Sequence, residues 1–455
     1  MNTHFRNLSR HLSGKMSYTT GQSLYFASLS ALFWAAWAVG CYQTIYLQGR
    51  GFTAAHVGTM NALCSCIAIA ATSTWGVVAD KINSVRKVET ILLFGNALLF
   101  SLVPFVKYVF PDALWPYFVL LAVCATCRSP LGTFHENLII RNANELRLNY
   151  GAMRSMGSLI FAIVSTVVAD KLYDIGVENT FWISGLCWIP VIALTIRARE
   201  PGREGNTEEV GGELPEKSPE EVGGDHPERS PEEAADQSTE SGKVKKKQRF
   251  TSKKQKLNLR PLLKNRAYVM LLVFAVLFYF AVNFEGNFIP FFMQEKGIDS
   301  SRYGTLLAIR AVFEMPFLLL MVKLRGRYSL RSLLLFAPLL MGSECLAFAL
   351  LVRDLTTMML VAGLFGLGNG LYIGTAMNYV YEIAPEGLKA SAQAFFTVSA
   401  QVSGILSSLV GGFLFEGMGS QRFYLLTALL FGLSILVFLI SGRTGKKGKN
   451  SARLV

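Results

Sequence analysis

The chain has 455 residues, of which 51% are hydrophobic and only 16% are charged, and its formal net charge is +13. A soluble globular protein carries about 25% charged residues, so this composition excludes a soluble enzyme, a nucleic-acid binder and a disordered protein. The basic residues lie largely in short segments between apolar runs, which favours a membrane protein.

Twelve apolar runs are each long enough to cross a membrane as a helix, which takes about 20 residues. The first six lie at 23–47, 55–78, 88–110, 114–140, 150–170 and 177–196, and the second six at 268–292, 303–323, 330–352, 356–381, 390–413 and 423–440. The runs predict an all-α membrane protein of two pseudo-symmetric six-helix bundles. The seventh run is expected to break at Pro290.

The predicted organisation follows from where the polar segments lie. It comprises an N-terminal segment 1–21, a six-helix bundle 22–197, a polar loop 198–266, a second six-helix bundle 267–441 and a basic tail 442–455. The loop contains an acidic Pro/Gly-rich segment, 210–221, that is nearly repeated at 222–233, and then a basic stretch. We expect this loop to be disordered, because little in it can be buried. It is either a linker resting on anionic lipid or a regulatory or nucleic-acid-binding arm.

The distribution of basic residues predicts the orientation of the chain. If the N-terminus is cytoplasmic, the loops on that side receive most of the basic residues, such as Arg141, Arg147, Arg325 and Arg327. The positive-inside rule therefore predicts that both termini are cytoplasmic. The first run is too long for a cleavable signal. We expect a monomeric, multi-pass protein of a bacterial inner cell membrane.

Charged residues inside membrane spans are energetically costly and are therefore candidate functional residues. Glu136 in the fourth run and Arg154 in the fifth each lie nine residues from the turn near residue 145. They should share a depth of about 13 Å from that turn. At equal depth they can neutralise each other or form hydrogen bonds with the hydroxyl groups of a solute.

The same arithmetic applies in the second half. Arg310 and Glu344 each lie 17 residues from the turn near residue 327, and Glu314 follows Arg310 by one helical turn. We predict a cluster of Arg310, Glu344 and Glu314. These carboxylates, together with Glu285 and Glu136, are candidates for binding a coupling proton. The alternative is that the pairs only offset the cost of each other's burial.

Other polar residues in the runs are expected to line a cavity with aromatic residues and to contact a small hydroxylated solute. They are Tyr42, Gln43, Arg128, Asn283 and Asn287. His135 also lies within the fourth run, and packing is the simpler interpretation of a single histidine. No catalytic residue, metal site or cofactor is expected apart from a coupling proton, and neither is a nucleic-acid partner.

The segment after the second run carries a recognisable motif. Its residues are Gly76, Asp80, Lys81, Arg86 and Lys87. The segment resembles the loop motif of the major facilitator superfamily, whose role is conformational gating, although Asn83 stands where glycine is common. The resemblance implies two six-helix bundles, alternating access and a solute site between the halves.

The charged residues resemble the branch of this superfamily that contains oligosaccharide:proton and nucleoside:proton symporters. Glu136 and Arg154, with Tyr150 and Gly151 before the arginine, resemble the Glu…Gly-x-x-Arg pattern of the lactose permease, which binds the sugar. Phe161 falls where that permease stacks a tryptophan on the sugar ring. The proton-coupling His and Glu of its tenth helix have no counterpart in the segment 364–371.

The resemblance implies a proton-coupled importer of a sugar, oligosaccharide, glycoside or nucleoside. Glu136, Arg154 and Phe161 would hold the solute, and the cluster around Arg310 would carry the proton. One alternative is a drug:proton antiporter, although the fifth run lacks the Gly-Pro motif of such exporters. Another is a non-transporting membrane sensor whose output arm is the polar loop.

Overall fold

The computed structural model describes residues 2–200, 260–385 and 388–443, and the regular secondary structure in these ranges is helical. The duplicated acidic segment, the basic stretch after it and the tail beyond residue 443 lie outside the described residues. The first helix begins at Asn2. A short helix, Arg260–Lys264, precedes the second half.

The described ranges contain eleven helical segments that are long and apolar enough to cross a membrane. They are α1 (Thr20–Gly49), α2 (Ala54–Ile82), α3 (Val85–Val109), α4 (Trp115–Leu146), α5 (Met153–Ile175), α6 (Glu178–Arg197), α7 (Arg266–Glu295), α8 (Ser300–Met321), α9 (Leu330–Leu350), α10 (Leu355–Ile383) and a last segment, Ser391–Ile440.

The last segment is two spans rather than one. It has 50 residues and would be about 75 Å long as a straight helix, more than twice the thickness of about 30 Å of a bilayer's apolar core. Gly419 interrupts it with a φ of 75° and a ψ of 166°, which separates α11 (391–418) from α12 (420–440). The predicted all-α architecture of twelve spans is therefore confirmed.

The gating-motif residues lie on either side of the loop between α2 and α3, at the end of α2 and the start of α3. Asn83 ends α2 in the left-handed conformation, with a φ of 49°, which explains why glycine is common at this position: both residue types tolerate that conformation. Arg86 donates to the carbonyl of Ala198 at 2.8 Å and forms an ion pair with Glu200 at 3.5 Å. Other motif residues, Gly76, Asp80, Lys81 and Lys87, are half-buried or exposed.

The helix α7 continues through Pro290 to Glu295 without the predicted break. A proline inside a helix leaves one carbonyl of the preceding turn without its N–H donor. Neighbouring helices can supply donors instead in membrane proteins. The carbonyl without a donor is that of Gly286, four residues before the proline. The hydroxyl group of Tyr424 on α12 donates to the adjacent carbonyl, that of Glu285, at 3.2 Å, and so ties this turn of α7 to α12.

The two halves approach each other most closely through glycines at one end of the bundle, which we call the closed end. A Cβ on Gly58 of α2 would lie 2.3 Å from the carbonyl oxygen of Ser408 on α11, and one on Gly412 of α11 would lie 2.5 Å from the carbonyl oxygen of Ala54. The closed end therefore requires backbone-to-backbone contact that only glycine permits. Gln48 and Gln294 hydrogen-bond across the halves at the same end, at 3.0 Å.

We predict that Gly58→Ala opens the closed end, because the added methyl group forces the two backbones apart. The measurement is chemical cross-linking of a Gln48→Cys/Gln294→Cys pair in a background without native cysteines. The cross-link should form readily in the parent and fall severalfold with Gly58→Ala. Gly432→Ala is the matched control, because nothing lies within 4 Å of its Cβ position. Equal cross-linking in all three proteins would contradict the prediction.

Candidate functional site

A cavity of about 480 Å³ lies between the two halves, and we call it the main lobe. Helices α1 and α5 of the first half and α7, α8 and α10 of the second line it. A second lobe of about 430 Å³ adjoins it. The two lobes have in common the lining residues Phe161, Asn283, Asn287 and Leu307. Their position matches the mid-bundle site where transporters of this architecture bind solutes.

Glu136 and Arg154 form an ion pair at the edge of the main lobe. The Nε atom of Arg154 lies 3.0 Å from Oε1 of Glu136, and both side chains are about one-quarter exposed. The hydroxyl group of Tyr150 donates to the other carboxylate oxygen, and the guanidinium donates to Ser158 at 3.0 Å. The equal depth inferred from the sequence therefore does bring the two side chains together, with hydrogen-bonding capacity left for a solute.

An aromatic wall lies beside this ion pair. The guanidinium of Arg154 sits over the ring of Trp34 on α1, 4.4 Å from its centroid, and Trp34 makes an edge contact with Phe161 at 6.4 Å. A Cβ on Gly157 would lie 2.4 Å from the Trp34 ring, so the glycine makes room for the indole. Sequence reasoning missed Trp34, because only the packing of α1 against α5 places it next to the charges.

Arg310 binds two fully buried carboxylates. Its Nη2 atom donates to Oε1 of Glu344 at 2.6 Å and also to Oε1 of Glu285. Among the described residues, the second oxygen of each carboxylate has no hydrogen-bond partner. The pairing of Arg310 with Glu344 was predicted, whereas Glu285 takes the place in the cluster that was assigned to Glu314. The same spacing argument applied to the turn between α7 and α8 would have found Glu285, because residues 285 and 310 lie at nearly equal distances from residue 297.

The prediction that Glu314 belongs to this cluster is wrong. Its Oε2 atom accepts a hydrogen bond from Asn369 of α10 at 2.9 Å. The reason is that α8 packs closely on α10 through two glycines of α10. A Cβ on Gly366 would lie 2.1 Å from the carbonyl oxygen of Arg310, and a Cβ on Gly370 would lie 2.4 Å from the carbonyl oxygen of Glu314. Glu314 lines the main lobe, as Arg154 does.

The second lobe contains most of the other predicted polar residues. Gln43, Arg128, Asn283 and Asn287 line it. Asn283 donates to the carbonyl of Tyr279 at 2.6 Å, within its own helix, and Asn287 donates to Ser408 of α11 at 3.1 Å. Both asparagines also line the main lobe, so they stand where the two lobes meet.

Tyr42 does not line either lobe, contrary to the expectation that it contacts solute. It is fully buried at the closed end, where its hydroxyl group donates to Asp170 of α5 at 2.6 Å and accepts from the N–H of Gly304 on α8 at 3.1 Å. Asp170 also accepts from the backbone N–H of Thr305 at 3.2 Å. A short non-α turn, Gly40–Tyr42, places the tyrosine within α1. This contact joins the halves, and sequence reasoning missed it because α1, α5 and α8 are not neighbours along the chain.

The first turn of α8 and the residue before it support this contact. The carbonyl oxygen of Ser301 lies 2.8 Å from the Tyr42 hydroxyl oxygen and is an alternative acceptor for its single proton. Asp299 caps the short turn Ser300–Arg302 by accepting from the N–H of Ser301 at 2.9 Å. Hydrogen bonds from the side chain and backbone of Ser301 hold the pKa of Asp299 below its usual value, so the cap is charged near neutral pH.

His135 is part of a buried pair that the sequence did not reveal. Its Nδ1 atom lies 2.8 Å from Oε1 of Glu89 on α3, and both side chains are fully buried. The imidazole stacks on Phe33 of α1 with a centroid distance of 3.8 Å. These contacts tie α1, α3 and α4 together inside the first half, which fits the structural interpretation of His135.

Comparisons with known proteins agree with this arrangement. The sequence model of the MFS_1 like family matches residues 23–426. Maltose permease of Geobacillus stearothermophilus is 25% identical over 411 residues, which cover 90% of this chain and 91% of the permease. The uncharacterized transporter YwbF of Bacillus subtilis (strain 168) is 22% identical, over 86% of this chain and 87% of that protein.

Solved structures share the fold. The nucleoside transporter NupG superimposes with a TM-score of 0.65 at 17% identity, over 92% of this chain and 98% of NupG. A POT family peptide transporter in an auto-inhibited state gives a TM-score of 0.63 at 12% identity, over 93% and 97% of the two chains. At these identities the likeness is evidence for the fold alone.

We predict that Arg310→Gln destabilises the protein by about 3–5 kcal/mol, because it leaves two buried carboxylates without their cation. The measurement is equilibrium unfolding in detergent. Glu314→Gln is the matched control, because the amide can keep the hydrogen bond to Asn369, and it should lower stability by less than about 1 kcal/mol. Equal losses for both variants would contradict the cluster described here.

Proposed function

We propose a substrate class and a coupling ion for this chain, which belongs to the MFS_1-like family and is a membrane transporter of the major facilitator type. We infer that it imports a sugar, oligosaccharide, glycoside or nucleoside by proton symport, with alternating access. It would act as a monomer in the cell membrane with both termini cytoplasmic, and it would need no cofactor other than the proton.

The observation that carries this proposal is the Glu136–Arg154 pair at the edge of the main lobe, beside the Trp34 ring. A carboxylate accepts hydrogen bonds from hydroxyl groups, and a guanidinium donates to their oxygens in a fixed fork. An aromatic face covers the apolar C–H surface of a sugar or the face of a nucleobase. Arg154, the carboxylates of Glu285 and Glu314 and the ring of Trp34 line one cavity here, with Glu136 at its edge, which suits a solute that is hydroxylated and partly apolar.

The relatives support the same substrate class. The maltose permease that resembles this chain over nine-tenths of its length is named for a disaccharide. The structural neighbour NupG is named as a nucleoside transporter. Both solutes carry several hydroxyl groups on a ring, which is the chemistry that the main lobe suits.

The cluster of Arg310, Glu285 and Glu344 supports proton coupling. It holds one positive group and two carboxylates, all buried, so the ionised cluster has a net charge of −1. Burying a net charge is costly, and one bound proton would make the cluster neutral. Arg310 and Glu285 also line the main lobe, so the charge of the cluster and the occupancy of the cavity can influence each other.

Counterflow in proteoliposomes tests the proposed substrate class. Labelled maltose, other oligosaccharides, glycosides and nucleosides would be compared without any ion gradient. We expect saturable exchange of one class. Arg154→Lys should reduce that exchange at least about tenfold at equal expression, because a point charge cannot reproduce the fork that contacts Glu136 and the solute. No exchange of any compound by the folded protein would contradict the proposal and favour an exporter.

A second measurement tests the coupling ion. With the exchanged solute, a pH gradient should drive accumulation in the parent protein. Glu344→Gln mimics the protonated state, so we expect counterflow to persist while accumulation driven by the gradient is lost. The comparison is Glu136→Gln, which should impair both. Accumulation by Glu344→Gln at the parent level would contradict the assignment of the proton to this cluster.

A further inference from the structure

The second lobe contains an arginine without an acidic partner. Arg128 of α4 lines this lobe. Its Nη1 atom donates to Oδ1 of Asn96 on α3 at 3.2 Å. Throughout the described ranges, no Asp or Glu side chain forms an ion pair with it. It differs in this respect from Arg154 and Arg310, each of which binds at least one glutamate.

Neutral groups surround this guanidinium. Its Cζ atom lies 4.4 Å from the ring centroid of Trp37 and 4.2 Å from that of Phe100. Aromatic faces attract a cation, but they carry no net charge, and the Asn96 amide is neutral as well. The positive charge of Arg128 is therefore not compensated by an acidic side chain among the described residues, and a half-buried charge without such a partner is costly.

The other described residues that line the second lobe are uncharged, and many of them are polar. Amide and hydroxyl groups line it, among them those of Gln43, Asn61, Ser65, Ser129 and Ser408. Among the described lining residues of this lobe there is no carboxylate, whereas Glu285 and Glu314 line the main lobe. The two lobes thus differ in charge: positively and negatively charged side chains line the main lobe, whereas the described lining of the second lobe has only the positive charge of Arg128.

We propose that the second lobe binds a negatively charged group of the transported solute, a carboxylate or a phosphate, on Arg128. The two rings fix the plane of the guanidinium, and its parallel N–H donors match the two oxygens of such an acid. Because the lobes meet at Phe161, Asn283 and Asn287, one solute can place its hydroxylated ring beside Arg154 and its acid beside Arg128. The substrate class is then a sugar acid, an acidic glycoside, a sugar phosphate or a nucleotide. This inference rests on the proposed transport of hydroxylated solutes.

The test is counterflow with matched neutral and acidic probes. One pair tests for a carboxylate: p-nitrophenyl glucoside is compared with p-nitrophenyl glucuronide. Two pairs test for a phosphate: glucose is compared with glucose 6-phosphate, and uridine with uridine monophosphate. We expect one acidic probe to exchange at a concentration about tenfold or more below that of its neutral partner, as fits a hydrogen-bonded charge pair. The pair that differs identifies the acid.

Variants of Arg128 connect the preference to this residue. Arg128→Gln should abolish the preference, so that the acidic probe and its neutral partner exchange at about the same concentration, whereas Arg128→Lys should keep part of the preference. Arg331→Gln is the matched control, because Arg331 also lies over an aromatic ring, that of Phe438 at 5.3 Å, and lines neither lobe. It should behave as the parent.

Each outcome is decisive. Exchange of neutral probes with no preference for the acids overturns the inference and leaves the proposed function standing. A preference that persists in Arg128→Gln also overturns it. If Arg128→Gln does not fold, the comparison of probes in the parent and in Arg128→Lys decides the matter alone. No exchange of any probe contradicts the proposed function and this inference together.

Discussion

The need to neutralise charges that lie between apolar helices governs this structure. Arg154 is paired with Glu136, and Arg310 is paired with Glu285 and Glu344. Each of these arginines also lies over an aromatic ring. Such pairs add little stability by themselves, but losing one partner is costly. The arrangement therefore fixes which helices must meet around the cavity, and it concentrates the hydrogen-bonding groups where a solute can reach them.

The contacts that join the halves differ in kind from those that hold each half together. Within the first half, Glu89 and His135 are fully buried and tie three helices to one another. Between the halves, the closed end relies on glycine-mediated backbone contact and on a few hydrogen bonds around Asp170. Because these hydrogen bonds are few, breaking and re-forming them costs little free energy. Contacts that are weaker between the halves than within them are compatible with the alternating access proposed above.

Much of this fold could be predicted from the sequence, and the site could be predicted in part. Twelve apolar runs define the spans because the bilayer imposes their length. Counting residues from the turn between two consecutive helices places Glu136 near Arg154, because such helices form a hairpin. It cannot find the contact of Glu314 with Asn369 or that of Tyr42 with Asp170, because those helices are not consecutive and their packing depends on glycines in the partner helix. Trp34 and Trp37, the aromatic neighbours of Arg154 and Arg128 on α1, were missed for the same reason.

The central claim is that the main lobe is where the solute binds. Alkylation of an Ala311→Cys variant without native cysteines tests it most directly, because Ala311 lines this lobe and forms none of the ion pairs. We expect the solute that is exchanged in counterflow to slow alkylation at position 311, and the concentration that gives half of this effect should equal the one that half-saturates exchange. The control is an Asp112→Cys variant, whose altered residue lies in an exposed loop. The solute should not slow alkylation there. If a solute that is exchanged leaves alkylation at position 311 unchanged, it binds elsewhere and the account is contradicted.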